Sequence, residues 1–272
     1  MEVGFAVASR GPLATLDNIV KMTKAGEDME YDIVSVSDHI VVPKIIDSTY
    51  PYNDSGEFVD AFGASSASGE YMDQLTTLSY MAGITTTIRL LTAVMVLPHR
   101  SPVVAAKMLS TIDVLSQGRL IVGCGIGWMK EEFEAIGAPP YEERGAVADE
   151  YLKVFKELWT TENPSYEGKY CSFSDITFAP KPVQLPHPPI WIGGESPPAL
   201  RRAAALGDAW YPIGSNPRFQ VGTFAQLTEY IERVRENMRE IDRDPETMDF
   251  AYFINWNNEY EAQVLNGERR LL

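Results

Sequence analysis

Apolar and polar positions along this chain fall into two alternating regimes. Short apolar runs, aliphatic or aromatic, occupy 2–8, 33–37, 89–97, 119–124, 189–193, 208–212 and 249–255, and read as strands. Between most of them, apolar residues recur every three or four positions, the spacing of one helix face. Phe224, Leu227, Ile231, Val234, Met238 and Ile241 make one such stripe, and Val147, Tyr151, Val154, Phe155 and Leu158 another; both are expected to be core. Strand and helix signals in alternation predict an α/β protein. Ser101-Pro102 and Ser196-Pro197 each put an N-cap residue before a proline at the first helical position, directly after a strand. Gln117-Gly118 and Leu206-Gly207 read as helix stops.

Two segments break this rhythm. Residues 40–72 form a long irregular loop with Pro43, Pro51 and the aromatics Tyr50, Tyr52, Phe58, Phe62 and Tyr71, longer than ordinary connections and expected to be a substrate lid. Residues 160–190, with Tyr166, Gly168, Tyr170, Phe173, Phe178 and six prolines, predict a small hairpin followed by an extended crossing segment that serves as scaffold.

Composition narrows the function classes. A chain of 272 residues with 45% hydrophobic content can bury a large core, either as one barrel or as two smaller domains. A net charge of -15 argues against a nucleic-acid or anionic membrane surface, since both need basic patches. No run of 18 apolar residues and no basic amino-terminal region is found, so neither a membrane span nor a secretory signal is indicated and a cytoplasmic location is expected. Cys124 and Cys171 make no disulfide framework and read as inert thiols. His39, His99 and His187 are the only histidines and none has a metal-ligand spacing, so no metal site is expected.

The chemistry gathers where apolar runs end. The second strand ends in Asp38-His39, a histidine beside a carboxylate, which is a candidate general acid or base set against the plain alternative of a histidine satisfied within its loop. The run 119–124 passes into Gly123, Gly125 and Gly127, which would let a flat or charged ligand approach the backbone. A dinucleotide fingerprint fails there, because its third glycine position is Trp128; a methyltransferase glycine motif is disfavoured by Ile121, where that family carries an acid. After the fifth strand, Gly193-Gly194-Glu195-Ser196 leads into a helix start, either a phosphate site or a plain connection, with Glu195 counting against the former.

Ser37-Asp-His-Ile40, Leu91-Thr-Ala-Val-Met95 with Ser101-Pro102, Gly125-Ile-Gly-Trp128 followed by Glu132-Phe133, Glu143-Arg144-Gly145, Ile190-Trp-Ile-Gly-Gly194 and Gly207-Asp-Ala-Trp210 together resemble the luciferase-like monooxygenase superfamily, in order and over most of the chain. The first and third of these are similar to the branch that uses the deazaflavin coenzyme F420. The resemblance implies one TIM (β/α)8 barrel domain over 1–272 with the cofactor at its carboxyl face. It implies that Asp38 and His39 sit at the edge of the coenzyme ring with His39 exchanging the proton. It further implies that Ala93 and Val94 form a strand bulge with a non-proline cis peptide, that Gly125, Ile126 and Gly127 line the ring, and that backbone N–H groups of Gly194, Glu195 and Ser196 hold the phosphate. A homodimer is the family's usual assembly.

This sequence departs from the family twice. Trp128 stands where sugar-phosphate dehydrogenases carry a catalytic glutamate, which disfavours sugar phosphates. After the run 249–255 no further strand is legible, so the barrel is expected to lack its last β/α unit. The expected function is an oxidoreductase that moves a hydride between F420 and a small organic substrate. An FMN-dependent monooxygenase using O2 is the alternative enzyme, and a non-catalytic flavin-binding or vestigial protein is the alternative of another class.

Overall fold

Strand and helix alternate through all the residues that the computed structural model describes, 1–58 and 71–254. These residues form two units, Met1–Thr49 with Glu57–Ile190, and Tyr50–Gly56 with the chain from Trp191 onward.

The first unit carries strands β1 (Gly4–Ala6), β2 (Ile33–Val36), β3 (Arg89–Thr92), β4 (Met95–Val96) and β5 (Leu120–Gly125). Strands β1, β2, β3 and β5 lie side by side in that order, all parallel, and β4 also pairs with β5. Val34 faces Leu90 and Leu90 faces Leu120, and all three are fully buried, which is why these strands read as unbroken apolar runs. The single strand expected over 89–97 is two. It divides at the Ala93–Val94 peptide bond, which is cis where the resemblance placed one, and beyond it Val96 pairs with Gly125.

Helices α1 (Leu16–Asp28), α2 (Gln74–Ile84), α3 (Pro102–Leu115), α4 (Lys130–Ile136) and α5 (Arg144–Thr160) complete the alternation. The α5 stripe from Val147 to Leu158 is buried, and Trp159 donates its indole N–H to Ala106 of α3 at 3.1 Å. A hairpin of β6 (Tyr166–Glu167) and β7 (Ser172–Phe173) follows. Glu150 of α5 accepts its turn N–H groups from Lys169, Tyr170 and Cys171 at 2.9, 2.7 and 2.8 Å. Asp113 of α3 then accepts the N–H groups of Val183 and Gln184 at 2.7 and 3.0 Å, pinning the extended stretch.

The second unit runs β8 (Ile190–Gly193), α6 (Pro197–Leu206), β9 (Ala209–Tyr211), α7 (Phe224–Arg239) and β10 (Asp249–Phe250), with β8, β9 and β10 parallel and adjacent. Thr223 and Gln226 close a capping box on α7. Its stripe is core only in the middle. Val234 and Met238 are buried, whereas Phe224 is 72% and Ile241 51% exposed, because one is the first helical residue and the other lies past the helix end. Residues after 254, where the sequence shows no further strand, lie outside the described residues, as do 59–70 of the expected lid.

Ser101 and Ser196 do stand at N-cap positions, yet neither side chain bonds its helix; at α6 the donor it would meet at the second position is missing, because Pro198 has no N–H. Among the described residues no helix is long and apolar enough to cross a membrane.

Gly123 is demanded by packing. A Cβ there would sit 2.1 Å from the Thr92 carbonyl oxygen, while one at Gly83 in α2 meets nothing within 4 Å. Gly123→Ala is therefore expected to lose at least about 2 kcal/mol in urea unfolding, and Gly83→Ala to gain up to about 1 kcal/mol. Equal effects from the two would contradict this.

Glu27 at the end of α1 accepts N–H groups from Thr86, Thr87 and Ile88 at 2.7, 2.6 and 3.1 Å. Burial pushes its carboxyl up, but these bonds and the Thr87 hydroxyl outweigh that and lower it to about 2. Because the folded value is the lower one, the stabilisation is complete above about pH 4.5 and is lost as pH falls toward 2. After solvent screening, Glu27→Gln is expected to cost about 1 kcal/mol at pH 7 and almost nothing near pH 2, measured by urea midpoints at both.

Candidate functional site

Accessibility changes abruptly where the strands of the first unit end. Strand β2 is buried throughout, whereas Ser37 and His39 beyond it are partly exposed; so are Ala93 and Val94 after β3, and residues 125–128 at the end of β5. Carboxyl ends of parallel strands are where α/β enzymes place their chemistry. The structure thus brings Asp38, His39, Ala93, Val94, Gly125, Ile126 and Gly127 to neighbouring strand ends of one unit.

Asp38 is buried and its carboxylate is fully engaged. It accepts the Val96 N–H at 2.9 Å and both terminal nitrogens of Arg100 at 2.7 and 2.9 Å, a fork that matches the planar guanidinium. Arg100 also reaches Asp73, the N-cap of α2, at 2.8 Å. Burial pushes the guanidinium down, but the bonds and charges of Asp38 and then Asp73 hold it above its ordinary value.

His39 meets a second buried acid. Its Nδ1 lies 2.6 Å from Oε2 of Glu132, in the first turn of α4, while Oε1 accepts the N–H groups of Ile40 at 2.7 Å and Val41 at 3.3 Å. The Glu132 side chain is 1% exposed and that of His39 11%. Burial pushes the Glu132 carboxyl up; the His39 hydrogen bond and charge, the charge of His99 and the Ile40 N–H outweigh it and hold the group below the usual carboxylate range. His99 packs edge-on against Phe133, with ring centroids 4.8 Å apart. Its Nδ1 stands 3.8 Å from Oε1 of Glu132, and burial lowers its pKa despite Glu132 and Asp38. Neighbouring Glu131 accepts the N–H groups of Asp47 and Ser48, each at 2.9 Å, so the first turn of α4 clamps the loop after β2 at two points.

Aromatic rings frame His39: Tyr71 at 5.0 Å, Phe58 at 5.2 Å and Trp128 at 6.4 Å between centroids. Phe58 and Tyr71 flank the undescribed part of the expected lid, which contains Phe62.

The glycines of β5 answer to the chain's own packing first. A Cβ on Gly125 would meet Val94 Cγ2 at 2.6 Å, and one on Gly127, whose φ is 80°, would meet Phe133 at 2.6 Å and Val96 at 2.8 Å. On the side where a Cβ would sit, Gly123 is closed by the Thr92 carbonyl and Gly125 by Val94.

In the second unit, Gly194 takes a left-handed φ of 101°, and Glu195 turns its carboxylate inward to accept Ile213 N–H at 2.7 Å and Asn216 Nδ2 at 3.0 Å. Burial raises its pKa and those two bonds pull it back. Ser196 is the N-cap of α6, but Pro197 and Pro198 carry no N–H, so this helix start offers fewer donors than the sequence pattern suggested.

Glu132, Arg100 and His99 carry roles that the sequence reading did not assign. Glu132 stood inside a quoted motif, and a glutamate in the turn after a buried strand was its signal; for Arg100 and His99 there was none.

Comparison with known proteins gives a consistent picture. A family model described as luciferase-like monooxygenase matches residues 1–256. The FMNH(2)-dependent dimethylsulfone monooxygenase of Pseudomonas putida is 42% identical over 118 residues, 43% of this chain and 32% of that protein. The chain thus matches about a third of the length of that curated relative. Among solved structures, monooxygenase RslO1 from Streptomyces bottropensis aligns with a TM-score of 0.72 at 22% identity, covering 98% of this chain and 76% of that one. The coenzyme F420 dependent tetrahydromethanopterin reductase from Methanopyrus kandleri aligns with a TM-score of 0.68 at 19% identity, covering 93% and 65%. At these identities the likenesses show the fold, the α/β TIM-barrel type of luciferase-like enzymes.

Arg100→Met leaves the Asp38 carboxylate buried without its countercharge, and is expected to cost about 3–5 kcal/mol in urea unfolding. Asp38→Leu combined with Arg100→Met should recover at least about half of that loss; a double variant as unstable as the single would contradict the assignment.

Proposed function

The chain belongs to the luciferase-like monooxygenase family, and on that premise we propose that it is an oxidoreductase transferring a hydride between coenzyme F420 and a small organic substrate, with His39 exchanging the accompanying proton. One observation carries this reading: a partly exposed imidazole at a strand end, backed at 2.6 Å by a buried carboxylate. Removing a hydride from a carbon that bears an ionisable O–H or N–H also releases a proton, and a histidine so held is a competent acceptor.

The residues present fit a planar heterocycle. The accessible surface at the ends of β2 to β5 includes Ser37, His39, Ala93, Val94, Gly125, Ile126, Gly127 and Trp128, which are flat, small or apolar. The carboxylates of Asp38 and Glu132 would repel an anionic coenzyme, but both are buried and committed to N–H donors of the chain. When bound, the coenzyme supplies the hydride-carrying carbon. The chain does the rest: Glu132 holds His39 in place, His39 moves the proton, and Phe58, Tyr71 and Trp128 keep water from its ring.

The second reading is a monooxygenase working with reduced FMN and O2, supported by the identity to the dimethylsulfone enzyme. Proton exchange at a held histidine serves hydride transfer more directly, which favours the first.

Parallel fluorescence titrations with F420 and FMN separate the two. The expected result is micromolar binding of F420; tight FMN binding without F420 binding would replace the first reading by the second. His39→Ala should keep coenzyme affinity within about threefold while lowering turnover of any accepted substrate on the order of 10²- to 10⁴-fold. Unchanged turnover, or none in the parent protein, would point to a non-catalytic binder.

A further inference from the structure

Glu132 is bound by more of the chain than packing alone requires. Oε1 takes the backbone N–H groups of Ile40 and Val41, which leaves Oε2 facing the Nδ1 of His39 at 2.6 Å. Burial pushes the Glu132 carboxyl up, but the His39 contact at Oε2, the His99 charge and the N–H donors on Oε1 outweigh it and hold the group below the usual carboxylate range, so it stands ionised and can only accept. The hydrogen in the contact with His39 therefore resides on Nδ1.

The surrounding groups leave this pairing unchallenged. His99, the other imidazole nearby, stays 3.8 Å from Glu132, and among the described residues neither of its ring nitrogens has a hydrogen-bond partner. Asp38 is taken by Arg100 and Val96. Tyr71 contacts the His39 ring edge-on and its hydroxyl accepts from Arg10 at 3.1 Å.

We propose that Glu132 is a positioning residue for His39: its carboxylate fixes the neutral imidazole as the Nδ1–H tautomer and leaves Nε2 as the nitrogen that accepts a proton. The consequence for turnover rests on the function proposed above, but the tautomer does not, since it exists without coenzyme. If a bound coenzyme took a hydride from a substrate carbon, the proton lost from the adjoining O–H or N–H would pass to Nε2. His39 becomes an imidazolium whose Nδ1–H still points at Glu132, so the new positive charge appears beside a negative one. Glu132→Gln keeps the shape and removes both effects, because a side-chain amide can offer its N–H to Nδ1 and turn the ring to the Nε2–H form.

Nitrogen-15 labelling of histidine tests this directly. With three histidines in the chain, His99→Gln and His187→Gln assign the signals by elimination. In the parent protein without coenzyme at pH 7.5, Nδ1 of His39 should show the shift of a protonated ring nitrogen and Nε2 that of a bare one; in Glu132→Gln the two should exchange. An Nε2–H form in the parent protein overturns the proposal, and that measurement needs no variant at Glu132 to fold. An unchanged Nδ1–H form in Glu132→Gln also overturns it. Failure of F420 to bind would remove the proposed function while leaving this tautomer standing.

Discussion

The site rests on the cost of burying charge. An isolated carboxylate cannot stay ionised in a protein interior, so each buried acid must find donors, and the donors it finds fix the geometry around it. Two acids do this here. Asp38 draws the end of β2 to Val96 and Arg100, joining it to β4 and, through Asp73, to the start of α2. Glu132 draws the next residues of the same loop onto α4, through His39, Ile40 and Val41. His39 stands between these two anchors in sequence, so its placement follows from the chain satisfying both carboxylates.

Most of the architecture was legible in the sequence because it depends on local periodicity. All seven apolar runs contain strands, and the stripe on α5 is buried as its spacing predicts. Legibility failed where a long-range contact decides the outcome. Nothing local marks 89–97 as two strands, and the division shows only against β5. Phe224 and Ile241 continue a helical spacing past the turns that are packed, so period alone overcounts the core.

The candidate site was legible by residue type more than by role. Asp38 and His39 were identified from their place after a strand, yet the pattern could not show that Asp38 faces Arg100, 62 residues away, while His39 faces Glu132, 93 away. The glycines teach the same lesson. Their spacing reads as room for a ligand, and it does not show that on the side of a Cβ Gly123 and Gly125 are closed by Thr92 and Val94. The two prolines after Ser196 likewise remove donors that a helix start would otherwise offer. The resemblance names residues, and only the fold shows which partners their side chains meet.

The most direct measurement is the distance from His39 Nε2 to the ionisable oxygen or nitrogen of a substrate analogue, in a crystal structure of the chain with F420 and that analogue. Hydride transfer with His39 as its proton partner requires the reacting atoms to gather within about 3.5 Å of one another, with Nε2 turned toward them and Nδ1 still on Glu132. A coenzyme ring bound away from the ends of β2 to β5, or an imidazole whose Nδ1 has left Glu132 to meet it, would contradict that arrangement.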